Sequence, residues 1–356
     1  MNTTKRIEYI DALRGFTMTL VVTGHIFSDC FMQDYLRGNI LSYYHFFGIF
    51  RLPLFLFISG FVFYKADRYW DLSSLKKFIT SKVRVQLFST LVFFLLYCWL
   101  FQKGIIRTLF DIHKSGYWFT YALFIYFVLY IGIDITICRI KRISPFSNYT
   151  IIASVFIGLL LYYLINNGFM LTILTPRLTS LFSISKWQFF IFFSFGCFIH
   201  KYYDYFLKCQ NYKYVKDGLI LLFVCFSICI LYHHNNNIHI YNYIYLLGLI
   251  AALLGILLVM LFFKANETHL SNSTTLGGSL QYIGKHTLDI YFLHFFFLPY
   301  NMSFVGKWLE INPNPLLEFC MSLTLAIIVI VFCLLVSRII RLSPTLAYLL
   351  FGAKHN

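Results

Sequence analysis

Residues 10–27 read IDALRGFTMTLVVTGHIF, an apolar run of membrane-spanning length that contains Arg14 and His25. Ionisable side chains are costly inside a bilayer, and proteins keep them where they face a cavity, a partner or a substrate. The two residues are eleven positions apart, which in an α-helix places them within roughly 20° of one face and about 16 Å apart along the axis. The sequence therefore predicts a cation and an imidazole on one helix face, at two depths of the membrane.

The composition of the 356-residue chain is typical of a membrane protein along its whole length. Hydrophobic residues make up 59% of the chain, charged residues make up 12%, and the mean hydropathy is +0.72. We therefore predict an all-α, polytopic membrane bundle of about ten transmembrane helices. It is expected to form one integral-membrane domain over residues 1–356, with no soluble appended domain. The predicted spans lie near residues 10–30, 45–64, 85–101, 117–138, 149–166, 187–200, 217–232, 241–263, 287–305 and 315–337.

The net charge of +15 is distributed as a topology signal and not as a nucleic-acid binding patch. Lys and Arg concentrate in alternate loops, which the positive-inside rule assigns to the cytoplasm. With an even number of spans, both termini are then expected in the cytoplasm. No nucleic-acid partner is expected, and the scattered Cys residues give no reason to expect a metal. The basic loops lie at residues 5–6, 65–84, 139–142, 201–216, 264–285 and 338–354.

The predicted topology assigns depths to the polar residues of the spans. Arg14 is expected near the cytoplasmic end of the first helix and His25 near its outer end. Arg51 enters the second span at about the depth of His25, and Trp118 opens the fourth span from outside. His294 is expected two turns into the ninth span, near the level of Arg14. The sequence thus predicts an inner polar layer of Arg14 and His294 and an outer layer of His25 and Arg51.

Each of these residues also has a structural interpretation. Arg14 could extend to the cytoplasmic interface, and His25 could be a neutral imidazole hydrogen bonded to a carbonyl. Arg51 and Trp118 suit anchors at the outer interface, and His294 taken alone suits packing. The residues alone therefore predict a polar path through a helical bundle. An enzyme could use such a path, and so could a transporter or flippase of a lipid-linked glycan.

Three motifs, in their order and spacing, resemble the membrane-bound acyltransferase family 3. The first-helix motif of that family is an Arg followed after ten residues by a His, as at Arg14 and His25. The segment FRLPLFLFISGF at residues 50–61 resembles its second-helix signature, and YIGKHTLDIYFLH at residues 282–294 resembles its late-helix motif. The Tyr-Trp-Phe run at residues 117–119 matches a feature that the family has at the start of its fourth span. The resemblance covers nearly the whole chain.

The resemblance implies an acyl-CoA-dependent O-acyltransferase. Members of the family transfer acyl groups, most often acetyl from acetyl-CoA, to hydroxyls of glycans or lipids. Acetyl-CoA is therefore the expected co-substrate, a cell-surface glycan or lipid-linked saccharide the expected acceptor, and the bacterial cytoplasmic (inner) membrane the expected location. A succinyl or longer acyl donor stays open, as does the oligomeric state.

The resemblance also implies roles for the residues at the donor side. Arg14 and His25 match the functional pair of the family, so Arg14 is expected to be a catalytic residue and also to bind coenzyme A from the cytoplasm. Members of the family carry an Arg-rich stretch at the start of the third helix, whereas this chain has mostly Lys there. Lys82 and Arg84 are the candidates in that stretch for the coenzyme A phosphates, although Lys lacks the bidentate fork of Arg.

At the acceptor side, His25 is the expected general base, because an imidazole titrates near neutral pH. Asp29 lies four residues further on and is expected to orient the ring. Arg51 is expected to hold the glycan or to stabilise negative charge, and Trp118 and His294 are further candidates for substrate binding. An acetyl-His25 intermediate is the alternative to direct transfer.

Overall fold

A computed structural model describes residues 7–31, 42–65, 70–141, 147–210, 212–235 and 241–353. Every regular element in these ranges is a helix, which confirms the predicted all-α class. Two π-helical segments and two 3₁₀ turns adjoin the α-helices, at Ile26–Phe31, Val83–Phe88, Lys114–Gly116 and Ile184–Phe189. The α-helices are α1 (Glu8–His25), α2 (Tyr43–Gly48), α3 (Arg51–Phe63), α4 (Leu72–Lys82), α5 (Ser89–Leu100), α6 (Ile105–Leu109), α7 (Trp118–Lys141), α8 (Asn148–Asn166), α9 (Phe169–Ile173), α10 (Pro176–Leu181), α11 (Phe190–Lys201), α12 (Tyr203–Gln210), α13 (Lys213–Asn235), α14 (Tyr241–Ala265), α15 (Thr275–Lys285), α16 (Thr287–Phe297), α17 (Ser303–Ile311), α18 (Pro315–Ile340) and α19 (Pro344–Phe351).

The helices group into two compact units. Unit 1 comprises Met1–Phe55 and Leu207–Ser337, and unit 2 comprises Leu56–Phe206 and Arg338–Asn356. The boundaries between the units fall within α3, α12 and α18. Their combination into the single domain expected from the sequence stays a prediction.

Six helices in the described part of the chain are long and apolar enough to cross a membrane. The helix Thr287–Phe297 is a shorter apolar helix of the same character. Such a series is typical of an integral membrane protein, while the number ten and the cytoplasmic position of the termini stay predictions. Two of them join neighbouring elements: Tyr43–Phe63 contains α2 and α3, and Leu72–Leu100 contains α4, a π-helical segment and α5. The other four are Trp118–Ile140, Asn148–Asn166, Tyr245–Ala265 and Pro315–Ile340.

The ninth predicted span, over residues 287–305, is not one helix. α16 ends at Phe297, and α17 begins at Ser303. The interruption follows from Pro299, because a proline disfavours the helical conformation of the residue before it. Leu298 accordingly has an extended backbone, with φ −65° and ψ 130°.

Unit 1 is organised by the close approach of α1 and α15. Gly15 faces the carbonyl oxygen of Leu280, and Gly284 faces the carbonyl oxygen of Asp11. A Cβ atom on either glycine would overlap that oxygen. Residues without a side chain at such a crossing let two helix backbones approach closely in a membrane protein. The crossing places the start of α16, two residues after α15, beside α1.

Unit 2 contains a comparable crossing and a buried carboxylate. Gly60 of α3 and Gly196 of α11 lie where an added Cβ would overlap backbone atoms of the facing helix. Asp134 of α7 is fully buried, and its carboxylate accepts hydrogen bonds from Nε1 of Trp70 (2.8 Å) and Oγ1 of Thr150 (2.8 Å). A buried carboxylate held by such donors ties its neighbouring segments together.

Candidate functional site

His25 and Asp29 form a hydrogen-bonded pair where α1 passes into a π-helical segment. The Nδ1 atom of His25 is 3.0 Å from Oδ2 of Asp29, and Ser28 donates to the other carboxylate oxygen. Because the carboxylate is an acceptor, Nδ1 carries the proton and Nε2 keeps a basic lone pair. The predicted contact is confirmed, and the His25 side chain is 32% exposed. π-helical turns are frequent at functional sites.

His294 lies beside His25, so the prediction that placed it at the level of Arg14 is wrong. The centroids of the two imidazole rings are 5.3 Å apart. The prediction assumed that the ninth helix starts at the membrane edge. The first residue of α16, Thr287, lies instead at the level of Arg14, because its Oγ1 accepts a hydrogen bond from Nη2 of Arg14 (3.1 Å). Seven further residues of helix advance the chain by about 10 Å, which brings His294 to the His25 end of α1.

Hydrogen bonds fix the ring of His294, which is completely buried. Its Nδ1 donates to the carbonyls of Ile290 (3.0 Å) and Tyr291 (2.8 Å), and the ring packs on Phe295 with centroids 3.9 Å apart. Nδ1 is therefore protonated and Nε2 is an acceptor. Among the described residues this Nε2 has no hydrogen-bond partner. Leaving a buried polar atom unpaired costs about 1–3 kcal/mol, which calls for a functional explanation.

Arg51 also lies at the His25 end of α1, as predicted. Its guanidinium group packs against Gly24 so closely that a Cβ atom there would collide with Nη1. The Cζ atom lies 4.3 Å from the ring centroid of Tyr44. Nη1 is buried and has no hydrogen-bond partner within the described part of the chain. This N–H group packs against Gly24, the residue before His25, and is therefore suited to stabilise negative charge near the imidazole.

Arg14 occupies the other end of the same helix face. Its Nη1 is 3.9 Å from the carboxylate of Asp11, and its Nη2 donates to Thr287. The side chain is 31% exposed. These contacts orient a cation that remains accessible, about 16 Å along α1 from His25. A guanidinium group presented in this way suits the phosphates of a nucleotide ligand.

Lys82 and Arg84 belong to unit 2, at the junction of α4 and the π-helical segment Val83–Phe88. The ammonium group of Lys82 lies 4.3 Å from the ring centroid of Phe127. The guanidinium carbon of Arg84 lies 5.1 Å from the ring centroid of Tyr348. Each cation therefore has an aromatic partner in its own unit, and its role in donor binding stays a prediction.

Trp118, the third predicted residue in unit 2, begins α7 as expected. The ammonium group of Lys186 lies 4.7 Å from the Trp118 ring. In the loop before α7, Lys114 donates to the carbonyls of Leu109 (3.0 Å) and Ser180 (2.6 Å), which fastens this loop to the end of α10. Burial lowers the pKa of Lys114 to about 8. The role of Trp118 in substrate binding stays a prediction.

Glu318 is a buried acidic residue that the sequence analysis missed. Its Oε2 accepts a hydrogen bond from Ser42 (2.8 Å), and the adjacent Tyr43 donates to the carbonyl of Thr23 (3.2 Å). Glu318 therefore holds Ser42 in place. The adjacent Tyr43 then ties α2 to α1 at Thr23, two residues before His25. A signal was available, since an acidic residue within the tenth predicted span is costly unless it has a function or a partner.

Comparison with known families supports the resemblance seen in the motifs. The model of acyltransferase family 3, an acyltransferase domain, matches residues 7–338. No curated protein and no solved structure matches the chain. The matched range contains every candidate residue described above in both units. The chain therefore belongs to acyltransferase family 3 and is an integral membrane acyltransferase.

Proposed function

We propose that the protein transfers an acyl group, normally acetyl, from cytoplasmic acyl-CoA to a hydroxyl of a cell-surface or lipid-linked glycan. Its proposed location is the bacterial inner membrane. Family membership supports the reaction class. The observation that carries the proposal for this site is the His25–Asp29 pair, which leaves Nε2 of an accessible imidazole as a base.

The donor is proposed to enter from the cytoplasmic side, where Arg14 attracts the phosphates of coenzyme A. Lys82 and Arg84 are proposed to add to this attraction. Coenzyme A carries several negative charges and cannot cross the bilayer, so its thioester must reach His25 from within the protein. The spacing of about 16 Å between Arg14 and His25 sets the distance that the pantetheine arm has to span.

In the chemical step, Nε2 of His25 takes the proton of the acceptor hydroxyl while the oxygen attacks the thioester carbonyl. A C–O bond forms, the C–S bond breaks, and His25 returns the proton to the sulfur of coenzyme A. Arg51 is proposed to stabilise the negative charge on the carbonyl oxygen or to hold the glycan. Trp118 is proposed as a further acceptor contact, whereas His294 is completely buried, so its proposed contribution to the acceptor site is indirect. An acetyl-His25 intermediate is the alternative route.

A deletion strain tests this function whatever the chemical identity of the acceptor. Mass spectrometry of the surface glycan should show the loss of acetyl mass, and the wild-type gene should restore it. Loss of the glycan itself, with its acetylation unchanged in the remainder, would instead favour a transporter or flippase. If the donor is succinyl-CoA, the mass lost from the glycan will be that of a succinyl group.

We expect Arg14→Gln to weaken binding of acetyl-CoA to the purified protein by roughly tenfold to a hundredfold. A hydrogen bond to a charged group contributes about 1.5–3 kcal/mol, and each 1.4 kcal/mol is about tenfold in affinity. Arg14→Lys keeps the positive charge and should lose less affinity for acetyl-CoA. Isothermal titration in detergent measures both, and an unchanged affinity in Arg14→Gln would contradict the assigned role.

We expect Gly24→Ala to lower acyl transfer by roughly 10²-fold, the loss typical of removing one donor to an oxyanion. The new Cβ atom meets the tip of the flexible Arg51 side chain, so the guanidinium group moves while the fold persists. The control is Gly48→Ala, where no atom lies within 4 Å of an added Cβ. Equal initial rates in the two variants, measured as coenzyme A release, would show that the position of Arg51 is unimportant.

A further inference from the structure

The imidazoles of His25 and His294 share an arrangement that the proposed chemical step leaves unexplained. Each has its Nδ1 proton engaged, in His25 by Asp29 and in His294 by backbone carbonyls of α16. Each therefore keeps a lone pair on Nε2. Because Nδ1 of His294 points to the backbone of its own helix, Nε2 points away from α16. The ring of His25 lies 5.3 Å from that of His294, and 5.0 Å from that of Phe295.

The burial of His294 favours an action through His25 over direct contact with the acceptor. The whole residue is 0% exposed, whereas the side chain of His25 is 32% exposed. A neutral imidazole with its proton at Nδ1 has the negative end of its dipole at Nε2. At a buried position such as that of His294, a fixed dipole acts more strongly than in water on a charge that develops near it.

The charged and titratable groups around the pair come from four elements of unit 1. The carboxylate of Asp29 brings negative charge to the imidazoles. Lys264 of α14 lies at the opposite end of α1, over the ring of Tyr9. The groups at the pair are Asp29 of the π-helical segment, Arg51 of α3, Tyr43 and Tyr44 of α2, and Tyr291 of α16, whose ring centroid is 6.1 Å from that of His294.

We propose that His294 is a positioning residue of the acyl transfer, whose Nε2 lone pair stabilises the positive charge that His25 acquires during the reaction. This inference rests on the proposed function. When His25 takes the hydroxyl proton, the imidazolium has Asp29 at Nδ1 and the ring of His294 beside it, with the two ring centroids 5.3 Å apart. The proton then passes from His25 to the sulfur of coenzyme A, and His294 ends the cycle unchanged.

Carbethoxylation of His25 by diethyl pyrocarbonate tests the proposal without any acceptor. The reagent modifies unprotonated imidazole, so its rate against pH reports the protonation of His25 in the purified full-length protein. Peptide mass spectrometry separates His25 from His286, which also has a carboxylate at Nδ1 (Asp289, 3.2 Å). His286 is therefore an internal control in every sample.

We expect His294→Phe to move the midpoint of the His25 profile to lower pH by about one unit, a tenfold change in proton affinity. His294→Gln supplies an acceptor oxygen, so its His25 midpoint should lie at least halfway back from the value of the Phe variant to that of the wild type. The His286 midpoint should be the same in all proteins. If the Phe variant does not purify as a folded protein, His294→Asn replaces it, since its shorter side chain cannot reach the position of Nε2.

A His25 midpoint that is equal in the wild type and the His294 variants would overturn the proposal, because a packing role alters stability without altering protonation. This result is separable from failure of the proposed function, which is measured by acyl transfer in His25 variants. A shifted midpoint together with an active His25→Ala protein would support the imidazole pairing and reject His25 as the base.

Discussion

We expect His25→Ala to lower the rate of acyl transfer by roughly 10²- to 10⁴-fold, the range that general acid–base catalysis contributes. The variant keeps Asp29, Arg51 and Arg14 in place but removes the nitrogen that takes the hydroxyl proton. Because the donor is proposed to bind near Arg14, its affinity should change little. Coenzyme A release from the purified protein measures the rate, and titration with acetyl-CoA measures the affinity.

The matched control for His25→Ala is His286→Ala. His286 also has its Nδ1 beside a carboxylate, that of Asp289, and it lies in the same unit. This control should retain most of the wild-type rate. If His25→Ala released coenzyme A as fast as the wild type, another group would have to serve as the base. Asp29→Asn is expected to fall between the two, because it keeps the imidazole but removes its negative partner.

We expect Gly284→Ala to destabilise the protein by about 1–3 kcal/mol or more, the usual cost of overpacking a well-packed interior. The added methyl group would overlap the carbonyl oxygen of Asp11, and backbone atoms cannot move aside as a flexible side chain can. α15 would have to separate from α1, which would also draw Thr287 away from Arg14. The thermal midpoint and the acetyl-CoA affinity should therefore fall together.

Gly278→Ala on the same helix is the matched control for Gly284→Ala. Its added Cβ would meet its nearest neighbour at 3.5 Å, an ordinary contact, and alanine favours the helix over glycine by about 1 kcal/mol. This variant should be as stable as the wild type or slightly more stable. Equal thermal midpoints for the two alanine variants would show that the α1–α15 crossing tolerates a wider separation.

Features that depend on local pattern could be predicted from the sequence. The apolar segments indicate the helical class, and the spacing of four residues predicts the contact of His25 with Asp29. The depth of Arg51 follows from its place at the start of the second span. These predictions need only helix geometry and the direction in which each span runs.

Features that depend on where one helix starts relative to another could not be predicted in this way. The sequence places His294 at the wrong level because nothing local shows that α16 begins beside Arg14. The glycine crossing of α15 with α1 determines that position, and it involves residues about 270 positions apart. The contact of Glu318 with Ser42 is equally distant in sequence. Such contacts require the helix packing to be known.

The π-helical segment that follows His25 has a consequence for how the chain can vary. A π-helix holds more residues per turn than an α-helix, and an extra residue that follows Asp29 in this segment leaves both the Arg14–His25 interval and the spacing of His25 and Asp29 unchanged. The same insertion between Arg14 and His25 would rotate the two side chains apart by about 100°. The number of helical residues between Arg14 and His25 therefore fixes both the distance and the relative orientation of the two side chains. We therefore expect insertions to be tolerated beyond Asp29 and not within the ten-residue interval between Arg14 and His25.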